Sequence, residues 1–161
     1  MSTFHGLFHT IIGASHVAKG TVCQDWSDFQ ANEHYALAVV ADGHGSKKHF
    51  RSDLGSKFAV QATVEAISAY YADAETFEEL FEENPTRLIR KIEKNIICRW
   101  NNAVRAHFAA NPVTEEEKLP FTEDEFAKLK VEAIYGTTLI AAIIGSEFTF
   151  GLQIGDGSLV V

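Results

Sequence analysis

Asp42-Gly43-His44-Gly45 places a carboxylate, an imidazole and two glycines within four residues, directly after the apolar run Tyr35-Ala36-Leu37-Ala38-Val39-Val40-Ala41. Asp42 offers hard oxygen ligands, and His44 offers a proton near neutral pH. Gly43 and Gly45 let the backbone turn sharply and bring its carbonyls close to a ligand. The combination reads as one wall of a divalent-metal site at the mouth of a sheet. Taken alone, the same residues also describe a strand-to-loop turn with a capping Asp.

Two further acids extend the pattern. Asp25 follows Gly20-Thr21-Val22-Cys23-Gln24, and Asp156 lies in Gly155-Asp156-Gly157 after the Phe148–Ile154 stretch. If the strands ending at Asp42 and Asp156 lie side by side, both carboxylates emerge at one rim. Asp25 joins them if a Trp26 strand pairs with the Tyr35 strand as a hairpin. Converging carboxylates repel each other in dry surroundings, so a cation is their natural occupant. Hard oxygen donors with water select magnesium or manganese over zinc or copper. The chain has neither the HExxH nor the CxxC form common in zinc sites. A two-metal site suits phosphoryl transfer to water, because the ions activate and orient the water and neutralise the phosphoryl oxygens. His44, beside the metal loop, fits the general acid that protonates the departing alkoxide.

Other candidates carry less. Ser15-His16 has the residue types of a nucleophile and base, but sequence neighbours rarely point at one another. His5, His9, His34, His49 and His107 read as surface or internally satisfied histidines. Gly13-Ala14-Ser15 lacks the lysine of a phosphate-binding loop. Lys47-Lys48-His49 reads as a solvated basic turn, with docking of an anionic substrate as the alternative. Glu78, Glu79, Glu82 and Glu83 read as a wet helix face.

The elements that must position these groups follow from periodicity. Leu7–Ala14 is expected to be a strand and Val17–Thr21 a loop turning at Lys19-Gly20. Trp26–Phe29 opens a second strand, Asn32-Glu33 a hairpin turn, and Tyr35–Ala41 a strand buried on both faces. Apolar positions from Ser52 to Tyr71 cover a broad arc, which suits a helix laid on a sheet. Thr76-x-x-Glu79 has the form of a capping box. Asn84-Pro85 restarts a helix that runs to about Phe108 and stops at Asn111-Pro112. Thr122-x-x-Glu125 starts a short helix within the 113–133 connection. Strands over Thr137–Ile144 and Phe148–Ile154 are joined by a turn at Gly145-Ser146.

At 161 residues the chain has the length of one domain, and 46% hydrophobic with 22% charged residues is a globular composition that excludes wholesale disorder. A net charge of −8 argues against a nucleic-acid sheath. No apolar run is long enough to span a bilayer, so no membrane partner is expected. Met1–His5 carries no signal-peptide core. Cys23 and Cys98 are too few and too far apart for a disulfide framework or a zinc ribbon. Reduced thiols in a cytoplasmic protein are therefore expected.

Four motifs in order then carry a resemblance: Gly20-x-x-Cys23-Gln24-Asp25, Val40-Ala41-Asp42-Gly43-His44-Gly45-Ser46, Gly136-Thr137-Thr138-Leu139, and Ile154-Gly155-Asp156-Gly157. From about Gly13 to Val161 the chain resembles the metal-dependent type-2C serine/threonine protein phosphatases, with the bacterial branch the closer match. The resemblance implies an α+β fold, a four-layer α-β-β-α sandwich of two antiparallel sheets with flanking helices, of which this chain covers the N-terminal part. It implies hydrolysis of phosphoserine and phosphothreonine in a protein substrate by a metal-activated water, with two or three Mn2+ or Mg2+ ions and no phosphoenzyme. Asp42 resembles the bridging metal ligand, Gly43 a carbonyl ligand, Asp25 the acid that binds metal waters, and Asp156 a ligand of a third ion. His44 resembles the histidine proposed to protonate the leaving group.

Departures are visible too. Gln24 stands where the family often has Glu, and Gly20 where it has a phosphate-binding Arg. Lys19 is the adjacent substitute, a point charge rather than a bidentate fork. Leu159-Val160-Val161 reads as the opening of another strand, with a short final strand as the alternative. The expectation is therefore a single phosphatase-like domain over 1–161, truncated at its C-terminal side. Such a chain would lack the family's remaining metal aspartates and bind metal weakly. Two rivals stand beside catalysis: a non-catalytic regulatory or interaction domain of the same fold, and an unrelated metal-dependent hydrolase.

Overall fold

A computed structural model describes residues 4–160, apart from the side chains of Ser15 and Lys19. The fold is mixed α+β. One four-stranded antiparallel sheet, in the order β1-β2-β3-β4, is built from Asp25–Ala31, Tyr35–Asp42, Leu139–Gly145 and Thr149–Ile154. The first hairpin turns where expected. The Asn32 side-chain oxygen accepts from the backbone N–H groups of His34 and Tyr35, and Asn32 N–H donates to the Tyr35 carbonyl. An Asx turn of this kind fixes the register of the strands that follow.

Between β2 and β3 the chain makes its helices: α2 (Ser52–Tyr70), α3 (Ala74–Glu83), α4 (Pro85–Ala110) and the short α5 (Glu115–Lys118), α6 (Glu123–Ala127) and α7 (Val131–Ile134). Helices α2 and α4 pack against each other, and α2 lies on β1 and β2. Leu37, Val39, Ala41, Leu139, Ala141, Ile143, Phe150 and Leu152 face Val60, Ile67, Phe77, Ile92 and Ile96 in the main core. Asn84 caps α4 through Arg87 N–H at 3.0 Å, with Pro85 at its first position, as read from the sequence. A capping box at Thr122 starts α6, also as read. An equivalent box at Thr114 with Glu117 starts α5, which the sequence reading did not include.

Five expectations are corrected. Residues 7–13 form no strand; this segment is tied to the sheet by the Thr10 hydroxyl to Ser27 Oγ at 2.6 Å, not by a backbone ladder. The next residues form a helix, α1 (Ala14–Lys19), which ends on Gly20 in the left-handed region (φ 65°), where the sequence had suggested a loop. Strand β2 is not buried on both faces: Tyr35, Leu37, Val39 and Ala41 are buried, while Ala38, Val40 and Asp42 are exposed. Helix α3 is capped by Asp73, which accepts from Thr76 N–H, so Thr76 sits inside the first turn rather than before it. Asp73 lies three residues ahead of Thr76 and offers a better acceptor. Residues 158–160 form no strand, and Val161 lies outside the described residues.

The helices cover one face of the sheet. The other face carries Ala38, Val40, Ile140, Ala142 and Ile144, with Val40 50% and Ile144 43% exposed. Among the described residues there is a single sheet.

Candidate active site

Antiparallel register decides what meets at the rim. Asp25 pairs directly opposite Asp42, so both side chains leave the sheet on the same, helix-free face. The hairpin expectation for Asp25 therefore holds. Strands β2 and β4 are not neighbours, because β3 runs between them, but the ends of β2 and β4 share one rim with the start of β3. Asp156 follows β4 on a turn whose Gly155 has φ 104°, held by the Gln153 side-chain amide on the Gly155 carbonyl at 3.2 Å. Asp25, Asp42 and Asp156 all line a single open cleft of about 440 Å³. Ser27, Thr138 and Ile140 complete its floor, and residues 9–11 form one wall that the sequence reading did not assign to the site.

The electrostatics are strained where the first two acids meet. Partial burial and the neighbouring Asp42 carboxylate hold the Asp25 carboxyl above its ordinary value. A hard divalent cation between the two would relieve that repulsion, and the oxygen donor set suits Mn2+ or Mg2+. Among the described residues, however, no three His, Cys, Asp or Glu side chains converge closely enough to hold an ion. The expected crowding of three carboxylates is thus realised as a facing pair, with Asp156 among the residues that line the same cleft. The donors fit the ion in kind, and the pair alone does not enclose it.

The Gly136-Thr137-Thr138 motif has a clear local task. Thr138 N–H and Thr137 Oγ1 both donate to the Asp42 carbonyl, at 2.8 and 2.9 Å, and Thr138 Oγ1 accepts from Asp42 N–H at 3.2 Å. Asp42 is therefore fixed through its backbone, with its carboxylate turned to that of Asp25. Gly43 is buried, and its N–H donates to the Gln24 carbonyl at 3.0 Å. A Cβ at this position would come within 2.6 Å of the Ser52 carbonyl oxygen and 2.7 Å of that of Gln24, so only glycine fits between these strands of backbone. Gln24 donates to Ser52 Oγ at 2.9 Å, tying the loop before β1 to the start of α2. The residue that replaces an expected acid is thus a brace.

His44 follows on an exposed loop, its N–H donating to the Gly136 carbonyl at 3.0 Å, and is not among the residues that line the acidic cleft. Lys47 is engaged within the chain while its side chain stays half-exposed. Its ammonium pairs with Glu125 at 3.1 Å, reaches the Pro120 carbonyl and lies over the Phe121 ring. The Lys19 side chain, expected to bind phosphate, lies outside the described residues, as does that of Ser15. His107 is internally satisfied by the Tyr135 hydroxyl at 2.7 Å.

Arg51, which the sequence reading passed over, is the largest omission. It is buried, makes a two-pronged pair with Glu117 at 2.7 and 2.9 Å, and donates to the Tyr135 hydroxyl and to the Asn111 and Pro112 carbonyls. That pairing holds the Glu117 carboxyl below its usual range and raises the guanidinium further. Arg51 thereby clips the 111–118 connection to the junction between the Asp42–Gly45 loop and α2. No local pattern announces it, because its partners lie some 60 to 84 residues away.

The comparisons agree with this geometry. Neither the search of curated proteins nor the search of solved structures returned a match. The family model described as protein phosphatase 2C matches residues 12–161, which takes in all four motifs and the whole sheet. The chain belongs to the protein phosphatase 2C family.

Proposed function

We propose that this domain hydrolyses phosphoserine and phosphothreonine in protein substrates with the help of two or three Mn2+ or Mg2+ ions. The observation that carries the reading is the register pair Asp25 and Asp42, two repelling carboxylates facing into one cleft with Asp156. Asp42 and Asp25 would hold the ions, together with the Gly43 carbonyl, and Asp156 would hold a further one. Bound, the ions would supply charge neutralisation at the phosphoryl group and a water of lowered pKa. The chain's own residues do the rest. The Thr137–Thr138 clamp keeps the Asp42 backbone immobile. His44, on the loop that follows Asp42, would be the proton donor to the departing serine or threonine oxygen. Lys19, one residue before Gly20, would supply positive charge to the phosphate.

The apolar free face of the sheet, with Val40, Ile140 and Ile144, supports the four-layer arrangement, in which a second sheet packs there. A net charge of −8 favours a protein substrate over nucleic acid. No helix among the described residues is long and apolar enough to cross a membrane. The free thiols Cys23 and Cys98 support a reducing, cytoplasmic setting.

A second reading, a non-catalytic regulatory or interaction domain, is favoured by one specific observation: no three ligating side chains close around an ion among the described residues. Mn2+-dependent release of p-nitrophenol from its phosphate ester separates the two. Turnover that disappears in Asp42→Ala supports catalysis. A folded chain with no turnover at any Mn2+ concentration supports the regulatory reading.

A further inference from the structure

His44 sits on an exposed loop, and its ring takes no hydrogen bond from another described residue. A general acid needs a fixed direction, so something else must hold the ring. The neighbouring ring is His49, whose centroid lies 4.8 Å from that of His44 at an interplanar angle of 52°. His49 is itself locked. It ends the 3₁₀ turn Lys47–His49, its N–H donates to the Ser46 carbonyl at 2.9 Å, and its Nδ1 is bonded to the Ala133 carbonyl. A carbonyl only accepts, so Nδ1 carries the proton.

Gly136 closes the arrangement from below. A Cβ there would come within 2.6 Å of His49 Nδ1 and 2.8 Å of His44 Cδ2, so both rings occupy the space that a side chain would take. The same Gly136 accepts the His44 N–H. One bare backbone position thus holds the main chain of His44 and leaves a slot for its ring.

We propose that His49 is a positioning residue for His44: clamped on the Ala133 carbonyl and seated over Gly136, it keeps the His44 imidazole in one orientation. The orientation serves proton delivery to the leaving group, and in that respect the inference rests on the phosphatase reading. Burial, with the nearby His44 and Lys48, holds the His49 imidazole below its ordinary pKa.

The test compares Mn2+-dependent hydrolysis of phenyl phosphate, whose leaving group needs an acid, with that of p-nitrophenyl phosphate, whose leaving group needs one less. His49→Ala is expected to lower kcat about tenfold on phenyl phosphate and less than about threefold on p-nitrophenyl phosphate, with KM little changed. His49→Asn, whose amide can replace Nδ1–H on the Ala133 carbonyl, is expected to restore most of the loss. Gly136→Ala, which crowds both rings, should reproduce the leaving-group dependence. In a His44→Ala background, His49→Ala should add nothing. Equal losses on both esters, or additive losses in the double variant, overturn the proposal. A second readout needs no turnover. Ring–ring cross-relaxation between His44 and His49 in the NMR spectrum of the intact chain is expected, with His44 ring signals that shift toward those of free histidine in His49→Asn less than in His49→Ala. Absence of that cross-relaxation overturns the positioning claim even if the chain hydrolyses esters. Its presence in a chain with no turnover sustains the positioning claim and removes the phosphatase reading.

Discussion

The two faces of the same sheet do different work, and β2 shows it within eight residues. Tyr35, Leu37, Val39 and Ala41 point into the helices and are buried, while Ala38, Val40 and Asp42 point the other way and are exposed. On the helix side, cohesion comes from close-packed apolar contacts that tolerate little change. On the free side, a strand ends in a carboxylate opposite another carboxylate, an arrangement that costs folding energy while both are ionised. The lesson is a division of labour by strand period. One residue's shift in register would bury Asp42 and expose Ala41.

Substitutions on the two faces should therefore separate activity from stability. The largest expected effect is on the free rim: Asp42→Asn should abolish turnover, by on the order of 10³-fold or more. The same change should leave Tm unchanged or slightly raised, because it removes a repelling charge beside Asp25. A parallel collapse of Tm would break the comparison. On the helix face, Leu37→Ala, at a fully buried position, should cost about 2–5 kcal/mol in denaturant unfolding.

A smaller effect is expected where the helical connection is clipped to the loop. Glu117→Gln leaves Arg51 with a weakened partner and should cost about 1–3 kcal/mol at neutral pH. The pH dependence sharpens this. The Arg51 guanidinium holds the folded-state pKa of Glu117 below its unfolded value. Its contribution is therefore complete above the ordinary carboxylate pKa and is lost as pH falls through the lower, folded value. Stability of the natural chain should fall across that acidic window more steeply than that of Glu117→Gln, as read by Tm against pH. The smallest effect is expected at Val40→Thr on the free face, within about 0.5 kcal/mol.

Much of this was legible in the sequence where the signal is local. The Asn32 turn, the Asn84-Pro85 start and the Thr122 box each place a capping oxygen within three residues of the N–H that it accepts. The convergence of Asp25 on Asp42 followed from one hairpin. Other features are set by distant partners and leave no trace in a window. The apolar spacing of Leu7–Ala14 suggested a strand, but this stretch meets the sheet through a side chain rather than a ladder. Tyr35–Ala41 reads as continuously apolar because Ala38 and Val40 are apolar on the helix-free face. Lys47 reads as a solvated basic turn until α6 arrives from nearly 80 residues on, and the partners that bury Arg51, Glu117 and Tyr135, lie as far along the chain. The Gly136-Thr137-Thr138 motif was visible, but its task, gripping the Asp42 backbone, needs the β2–β3 pairing to be understood.

The most direct test of the central claim is Mn2+ binding to the intact chain, followed by electron paramagnetic resonance with no substrate present. If Asp25 and Asp42 face a common cation, bound Mn2+ should be detected and each of Asp25→Asn and Asp42→Asn should weaken it by about tenfold or more. Binding that neither substitution changes would contradict the account.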